Sequence, residues 1–281
     1  MATLIDGKAV SAAVKERVRQ TIEANGYNPC LAVIIVGDDP ASRVYVNNKK
    51  KACEVSGIHS VEYALPQDAT QHELLSLIDQ LNADADVNGI LCQLPLPPQI
   101  DEIAVIARIA PLKDVDCFNS LNVGRLWTGD KTFEPCTPAG MIELLDAYGI
   151  DPTGKHCVIV GRSNIVGKPM AALMLERDAT VTVCHSKTKD LAAITQQADI
   201  LVASVGKKHF FSADMIKAGA VILDVGITRG EDNKLYGDVD FDSVKDKVSY
   251  ITPVPGGCGP MTIAVLMKNT LRAYCLQMGK R

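Results

Sequence analysis

Aromatic side chains make up only 5% of the chain, with a single Trp, so the interior has to be built from Val, Ile, Leu and Ala. Neither sign of charge dominates. Lys and Arg number 29 and Asp and Glu 33, a formal net charge of −4. A general nucleic-acid coat is therefore not expected, although a local basic pocket is compatible with this balance. No apolar stretch approaches the roughly 20 residues that span a bilayer, so no membrane partner is expected. The opening Met-Ala-Thr-Leu-Ile-Asp has no basic stretch followed by a long apolar run, so no secretory signal is expected. Low-complexity tracts, internal repeats and charge blocks are missing as well. Disorder, collagen and a disulfide scaffold are excluded as descriptions of the whole.

Cysteine is present but unpaired in pattern. The nine cysteines, at 30, 53, 92, 117, 136, 157, 184, 258 and 275, are odd in number and contain no CxxC. Most sit beside aliphatic residues, which predicts reduced, buried thiols in a cytosolic protein. Clustered zinc ligands are not visible, so no metal is expected. The chain is 281 residues long, enough for two domains or one large α/β unit.

Strand and helix patterns alternate. Val10, Val14, Val18 and Ile22 form one apolar helix stripe that Gly26 closes. Leu31–Val36 is a continuous apolar run ending in Gly37-Asp38-Asp39-Pro40, the pattern of a buried parallel strand and a turn. A helix follows from about Ala41 to Ser56, stopped by Gly57. Thr70-x-x-Glu73 is a capping box opening a helix through Leu74, Ile78 and Leu81. Asn88–Leu94 is a short strand running into Pro95-Leu96-Pro97-Pro98, which cannot continue a central strand. Loop signals fill about Pro111 to Pro138, where Thr137-Pro138 looks like an N-cap and first helical position. Further strands are expected at His156–Val160, Ala179–Cys184, Asp199–Ala203 and Ala220–Val225, and a final helix at about Pro260–Gln277. This alternation predicts a parallel sheet covered on both faces.

Val158-Ile159-Val160-Gly161 runs from a strand through a glycine turn into a helix, a geometry suited to phosphate. Glycine lets the backbone approach, and the helix N-terminus offers free N–H groups. Gly161 and Gly167 are six apart, with Ser163 where GxGxxG has its second glycine. Taken alone, the motif equally describes a tight strand–helix turn with no ligand. The next strand ends Val183-Cys184-His185-Ser186-Lys187-Thr188 without the acid that grips a ribose 2′-OH. Arg162 and a hydroxyl suit a 2′-phosphate instead, which favours NADP over NAD. Solvated surface cations are the competing description of Arg162 and Lys187.

Tyr45 and Lys49 lie at i and i+4 on one predicted helix and face the same way. Lys49-Lys50-Lys51 is ordinarily a solvated face, but Lys49 shares its side with Tyr45 and Ala52. A partly buried lysine can move protons near neutral pH, and a Tyr ring can stack on a planar substrate. Gln93 ends an apolar strand, where its amide points into whatever the strand ends face, or is satisfied by the Pro-rich loop. In Lys113-Asp114-Val115-Asp116, Asp116 could accept bonds from an amino-substituted ring, or simply form a turn. Pro253-Val254-Pro255-Gly256-Gly257 could wall a substrate or link domains.

Six blocks occur in order along the chain: Ser42-x-x-Tyr45-Val46-x-x-Lys49-x-Lys51-Ala52, Gly89-Ile90-Leu91-x-Gln93-Leu94-Pro95-Leu96-Pro97, Pro111-x-Lys113-Asp114-Val115-Asp116, Pro135-Cys136-Thr137-Pro138-x-Gly140, Gly161-Arg162-Ser163-x-Ile165-Val166-Gly167-x-Pro169-Met170 and Thr252-Pro253-Val254-Pro255-Gly256-Gly257-x-Gly259-Pro260-Met261-Thr262. Together they resemble the bifunctional methylenetetrahydrofolate dehydrogenase/methenyltetrahydrofolate cyclohydrolase family, the FolD type, over essentially the whole chain.

The resemblance implies two α/β domains with a cleft between them. Residues 1–118, completed by the C-terminal helix 260–281, would form the folate-binding catalytic domain. Residues 119–255 would form a Rossmann-like, doubly wound parallel-sheet NADP-binding domain. It implies Lys49 as the central catalytic residue, Gln93 hydrogen-bonded near it and helping set its protonation state, Tyr45 stacked on the aminobenzoyl group and Asp116 gripping the pterin. Leu94, Pro95, Pro255, Gly256 and Gly257 would complete the substrate site, with Pro255-Gly256-Gly257 between folate and nicotinamide. The cofactor set would be Gly161, Arg162, Ser163, Ile165, Val166, Gly167, His185, Ser186, Thr188 and Ile227, with Arg162 and Ser186 on the 2′-phosphate. NADP-dependent oxidation of 5,10-methylenetetrahydrofolate would then be followed by hydrolysis of the methenyl product to 10-formyltetrahydrofolate. A homodimer joined through the dinucleotide domains is also implied. A monofunctional dehydrogenase and a non-catalytic NADP-binding protein are the alternatives. An ATP-dependent formyltetrahydrofolate synthetase is excluded by the lack of a GxxxxGK[ST] loop. The chain departs from the family pattern at Cys117, where Gly is usual, and Cys258, where Val is usual. Leu94-Pro95 and Val254-Pro255 are candidates for cis peptides.

Overall fold

The computed structural model of the chain describes residues 1–280, the side chain of Ala41 excepted. It forms two compact units, one of residues 12–136 and 263–281, the other of residues 1–11 and 137–262. The division falls inside the helices Gly7–Asn25, Cys136–Ala147 and Cys258–Gln277.

In the first unit, strand Cys30–Val36 lies between His59–Leu65 and Gly89–Cys92, all parallel. Every residue of Cys30–Val36 is buried, as expected for a central parallel strand with both faces covered. His59–Leu65 escaped the sequence reading because its polar residues interrupt the apolar run. The core beneath the sheet is aliphatic, built around Ile34, Leu74, Ile78, Ile90 and Val105. The helix Gln71–Ala83 opens on the Thr70/Glu73 capping box, both bonds of which are made. Its far end is held by Lys113, 7% exposed, whose Nζ donates to Leu81 O at 2.8 Å and Asp84 O at 2.5 Å. Burial pushes this ammonium's pKa down.

The span expected to be loop, Pro111–Pro138, contains a helix, Ser120–Thr128, and Thr137 lies inside a helix that already begins at Cys136. The short helix belongs to the first unit, so the division falls after Cys136 rather than at the expected 118/119 boundary. The reason is local: Asn122 Nδ2 donates to Pro111 O at 2.9 Å and Asp114 Oδ2 at 2.8 Å.

The second unit holds a six-stranded sheet, entirely parallel, in the order Thr3–Leu4, Tyr250–Ile251, Val221–Asp224, Ile200–Ala203, His156–Val160, Thr180–Cys184. Its first strand comes from the extreme N-terminus, so residues 1–11 join this unit and not the one expected. Two residues are too short a run to show a period in sequence. Eight of the nine cysteines are buried, Cys275 is half-buried, and all are unpaired. Burial pushes the thiols of Cys53, Cys92, Cys157 and Cys258 up to about 12, leaving them as inert apolar groups. Among the described residues, no helix is long and apolar enough to cross a membrane.

Replacing Lys113 with Met keeps the bulk but strips the bonds from two carbonyls, that of Leu81 buried. The expected loss is about 1–3 kcal/mol, read as a lower denaturant midpoint with an unchanged slope.

Candidate active site

A parallel sheet places the carboxyl ends of all its strands on one edge, where helix starts and loops converge. In the first unit, that edge carries the residues singled out from sequence. The helix Pro40–Ser56 starts there. Asp39 caps it by accepting from Ser42 N at 2.8 Å, and Pro40 takes the first position, where no N–H is needed. Gly57, at φ 72°, ends it in a left-handed turn. Val46, Ala52 and Cys53 are the buried face. Lys50 and Lys51 are exposed, the solvated face expected of a lysine run, whereas Lys49 is half-buried and Tyr45 remains 45% exposed.

Lys49 Nζ donates to Gln93 Oε1 at 2.9 Å. Gln93 follows strand Gly89–Cys92, and its backbone N–H still bonds Ile34 O at 2.8 Å, so it is an extension of the sheet. Its Nε2 donates to Leu94 O at 2.6 Å. Both ends of the amide are committed, so the carbonyl is held toward the lysine. The Leu94–Pro95 bond is cis.

The segment Lys113–Asp116 runs beside the same strand. Ile90 N donates to Lys113 O at 2.8 Å, and Ile90 and Asp114 form a parallel bridge. The two carboxylates of this segment have different tasks. Asp114 is buried and accepts from Phe118 N (3.1 Å), Asn119 N (2.9 Å) and Asn122 Nδ2, so it is Asp114 that builds the turn. Asp116 is half-buried. Burial pushes its carboxyl up, while the Lys49 ammonium and the Cys136 thiol pull it back down. Lys49, Gln93 and Asp116 are thus brought together, and Tyr45 lies one helical turn from Lys49.

Two residues beside them had no assigned role. Cys136 is 2% exposed and its Sγ donates to Val115 O at 3.4 Å. Burial, and the Asp116 carboxylate after it, push that thiol well above its ordinary range. Asn269, 4% exposed, donates to the same carbonyl at 2.8 Å and to Glu134 O at 2.9 Å. It is a buried polar residue of the last helix, Cys258–Gln277, with no motif to mark it in the sequence.

In the second unit, strand His156–Val160 turns at Gly161, φ 139°, where a Cβ would overlap Ser204. A Cβ on Gly167 would overlap Gly161 O, so the two glycines make one close turn. Helix Gly167–Glu176 then starts at Val166 without any side-chain cap of its own. Ser163 Oγ accepts from Val166 N at 3.1 Å. Arg162, Ser163 and Ile165 are exposed around the turn and Val166 is half-buried. At the end of the neighbouring strand, Thr188 Oγ1 accepts from His185 N at 2.9 Å and His185 Nδ1 from Lys187 N at 3.1 Å. Those two side chains shape the turn, and Ser186 and Lys187 are left exposed on it. Ile227 is 46% exposed beyond strand Val221–Asp224. Val254–Pro255 is cis, Gly256 has φ 113°, and a Cβ on Gly257 would meet Thr252.

The family model for the tetrahydrofolate dehydrogenase/cyclohydrolase catalytic domain matches residues 5–116, and that for the family's NAD(P)-binding domain matches residues 135–278. The chain belongs to the tetrahydrofolate dehydrogenase/cyclohydrolase family. It is 58% identical over 276 residues to the bifunctional protein FolD of Agathobacter rectalis, covering 97% of this chain and 99% of that one. The crystal structure of the bifunctional FolD enzyme of Campylobacter jejuni superposes with a TM-score of 0.95 at 52% identity, covering 98% of this chain and 99% of that one. The Trypanosoma brucei enzyme, complexed with NADP cofactor and an inhibitor, does so at 0.94 and 38%, covering 99% and 98%. Within this family frame, Tyr45, Lys49, Gln93 and Asp116 fall in the catalytic-domain match, and the glycine turn falls in the NAD(P)-binding match.

Cys117 is in the left-handed region at φ 61°, 1% exposed, with its Sγ donating to Phe133 O at 3.4 Å. Cys117→Ala and Cys117→Gly both remove the thiol, and only Gly relieves the backbone. The Gly variant is expected to be the more stable of the two by about 1 kcal/mol, measured by denaturant unfolding of both.

Proposed function

We propose that this chain oxidises 5,10-methylenetetrahydrofolate with NADP⁺ and hydrolyses the resulting 5,10-methenyltetrahydrofolate to 10-formyltetrahydrofolate. The observation that carries the second activity is the Lys49–Gln93 hydrogen bond at the carboxyl edge of the first sheet. Hydride transfer needs alignment more than acid–base catalysis, whereas adding water to the methenyl carbon and opening the ring both require proton transfers. A lysine held by an amide whose other end is anchored on Leu94 O is placed to make them.

The second unit's residues fit NADP. Its glycine turn leads into a helix whose N-cap residue, Val166, supplies no side-chain acceptor, Ser163 Oγ taking the N–H of Val166 and, at 3.4 Å, that of Gly167; such a helix start suits an anion. The adjacent strand ends in an exposed hydroxyl, Ser186, and no carboxylate, with the exposed guanidinium of Arg162 as a forked donor for a 2′-phosphate. Gly161, Ser163, Ile165, Val166 and Gly167 line the turn, His185 and Thr188 hold Ser186 in place, and Ile227 offers an apolar contact. When bound, NADP⁺ supplies the hydride acceptor. Tyr45 stacks on the planar aminobenzoyl group, Asp116 accepts from the pterin's amino and ring N–H groups, and Leu94 and Pro95 wall the same edge. Pro255, Gly256 and Gly257 contribute a turn whose glycines let a ligand approach the backbone. Unpaired, mostly buried thiols suit a reducing compartment, the cytoplasm. Strand Thr180–Cys184 is a sheet edge with Val183 38% exposed, which suits pairing with a second copy of the chain.

Two predictions test the assignment. Lys49→Met is expected to lose the cyclohydrolase by at least 100-fold, in line with removal of a general acid–base group, while keeping measurable dehydrogenase. Loss of both activities in a folded variant contradicts that division. Arg162→Ala is expected to raise the KM for NADP⁺ by about tenfold or more, the loss of one charge-assisted pair, and to leave that for NAD⁺ unchanged. A spectroscopic assay on 5,10-methylenetetrahydrofolate, run in parallel with NADP⁺ and NAD⁺, reads reduced nicotinamide and methenyl product together. Turnover with NADP⁺ and little methenyl accumulation supports the bifunctional reading. Steady accumulation identifies a dehydrogenase alone, and no turnover a binding protein.

A further inference from the structure

Two buried carboxylates of the second unit lie outside the six sequence blocks. Asp224 is 3% exposed and Asp238 fully buried. Asp238 Oδ2 accepts from Val205 N at 2.6 Å and Gly206 N at 3.1 Å, and its Oδ1 from Lys207 N at 2.7 Å. Three consecutive backbone N–H groups wrapped around one anion make a nest, here filled from within the chain. Asp224 Oδ1 accepts from Gly226 N at 2.9 Å and Asp238 N at 3.1 Å, and its Oδ2 from Val239 N at 2.9 Å. Asp224 therefore fixes the start of its own loop and the backbone of Asp238, and Asp238 fixes the loop at 205–207.

Glycines make this possible. A Cβ on Gly226 would overlap the Asp238 carboxylate, and one on Gly237 would overlap Asp224 Oδ2. The partners are backbone amides. Burial, with Asp238 adding to it, pushes the Asp224 carboxyl up to about 7. Burying two carboxylates side by side is a costly way to hold a fold together. What the arrangement specifies is the path of two loops.

Those loops occupy a particular place. From strand His156–Val160 the chain first passes to Thr180–Cys184 on one side, then crosses back to Ile200–Ala203 on the other. The carboxyl ends of His156–Val160 and Ile200–Ala203 therefore flank the switch point, where open α/β sheets bind their ligands. One lip is Gly161 and the other is Ser204, against which Gly161 is packed. The nest at 205–207 is the continuation of that second lip. Ser186 lies beyond the end of Thr180–Cys184, so a dinucleotide with its 2′-phosphate there extends its nicotinamide half toward Ile200–Ala203 and Val221–Asp224. The loops held by Asp238 and Asp224 emerge from these two strands, and Ile227 stands on the second.

We propose that Asp238 and Asp224 are positioning residues for the nicotinamide half of the dinucleotide, shaping the loops at 205–207 and 225–227 from beneath. This inference rests on the NADP reading above. It predicts that Asp238→Asn, which replaces one acceptor oxygen by a donor facing the nest, weakens NADP⁺ binding in titration calorimetry at least tenfold. In the dehydrogenase assay it raises the KM for NADP⁺ and lowers kcat, because hydride transfer depends on alignment, with the KM for folate within twofold. Hydrolysis of 5,10-methenyltetrahydrofolate without nucleotide also stays within twofold of the parent. Should Asp238→Asn not fold, Asp224→Asn leaves the amides on Asp238 in place and is expected to show the same split. NADP⁺ affinity unchanged in a folded variant overturns the inference. So does a parallel fall in NADP⁺ binding and nucleotide-free hydrolysis, which would mark a structural role alone. Absence of NADP⁺ binding by the parent chain overturns the cofactor reading and this inference with it, whereas parental affinity in both variants overturns this inference only.

Discussion

Parallel strand pairing is the constraint on which the rest of this structure depends. Pairing strands in one direction requires a crossover between each pair, and it delivers every strand end to the same edge. Both units are built this way. In one, the edge collects the start of helix Pro40–Ser56, the amide of Gln93 and the turn around Asp116. In the other, it collects the glycine turn, the hydroxyl of Ser186 and the loops beyond Ala203 and Asp224. Chemistry-bearing side chains separated by dozens of residues meet because their strands end together.

The turns at these edges are held by buried polar groups more than by turn-forming residues alone. Asp114, Lys113, Asn269, Asp224 and Asp238 are all buried and all bonded to backbone groups at strand or helix ends. A buried ion is tolerated only when its bonds are saturated, so each of these residues admits essentially one path for the loop it grips. The exposed or half-exposed neighbours, Asp116, Lys49 and Ser186, are left with bonding capacity to spare. The division between groups that build and groups that act is clearest in Lys113-Asp114-Val115-Asp116, where the alternate residues have opposite tasks.

Much of the fold was legible in sequence where local signals agreed. The apolar run at Leu31–Val36, the Thr70/Glu73 box and the glycines at 26 and 57 each fall where their physics puts them. Strands His59–Leu65 and Thr3–Leu4 and helix Ser120–Thr128 were not legible. The first is interrupted by polar residues, the second is too short to have a period, and the third lies in a stretch read as loop. The glycine turn was legible as a phosphate-type geometry, while its close packing on Ser204 was not.

Residue types and their spacing were enough to establish an α/β chain, a strand–glycine–helix turn, a Tyr–Lys pair on one helix face and the family to which these blocks correspond. Pattern is local, and these features are local too. Tertiary structure alone decided that Lys49 donates to Gln93, forty-four positions away, that Asp114 and not Asp116 builds the turn, that Thr3–Leu4 joins the six-stranded sheet, and that Asp238 closes a nest at 205–207. Each of these is a contact between segments distant in the chain, and hydrogen-bond geometry across such distances is set by how strands stack into a sheet, which no window of sequence contains.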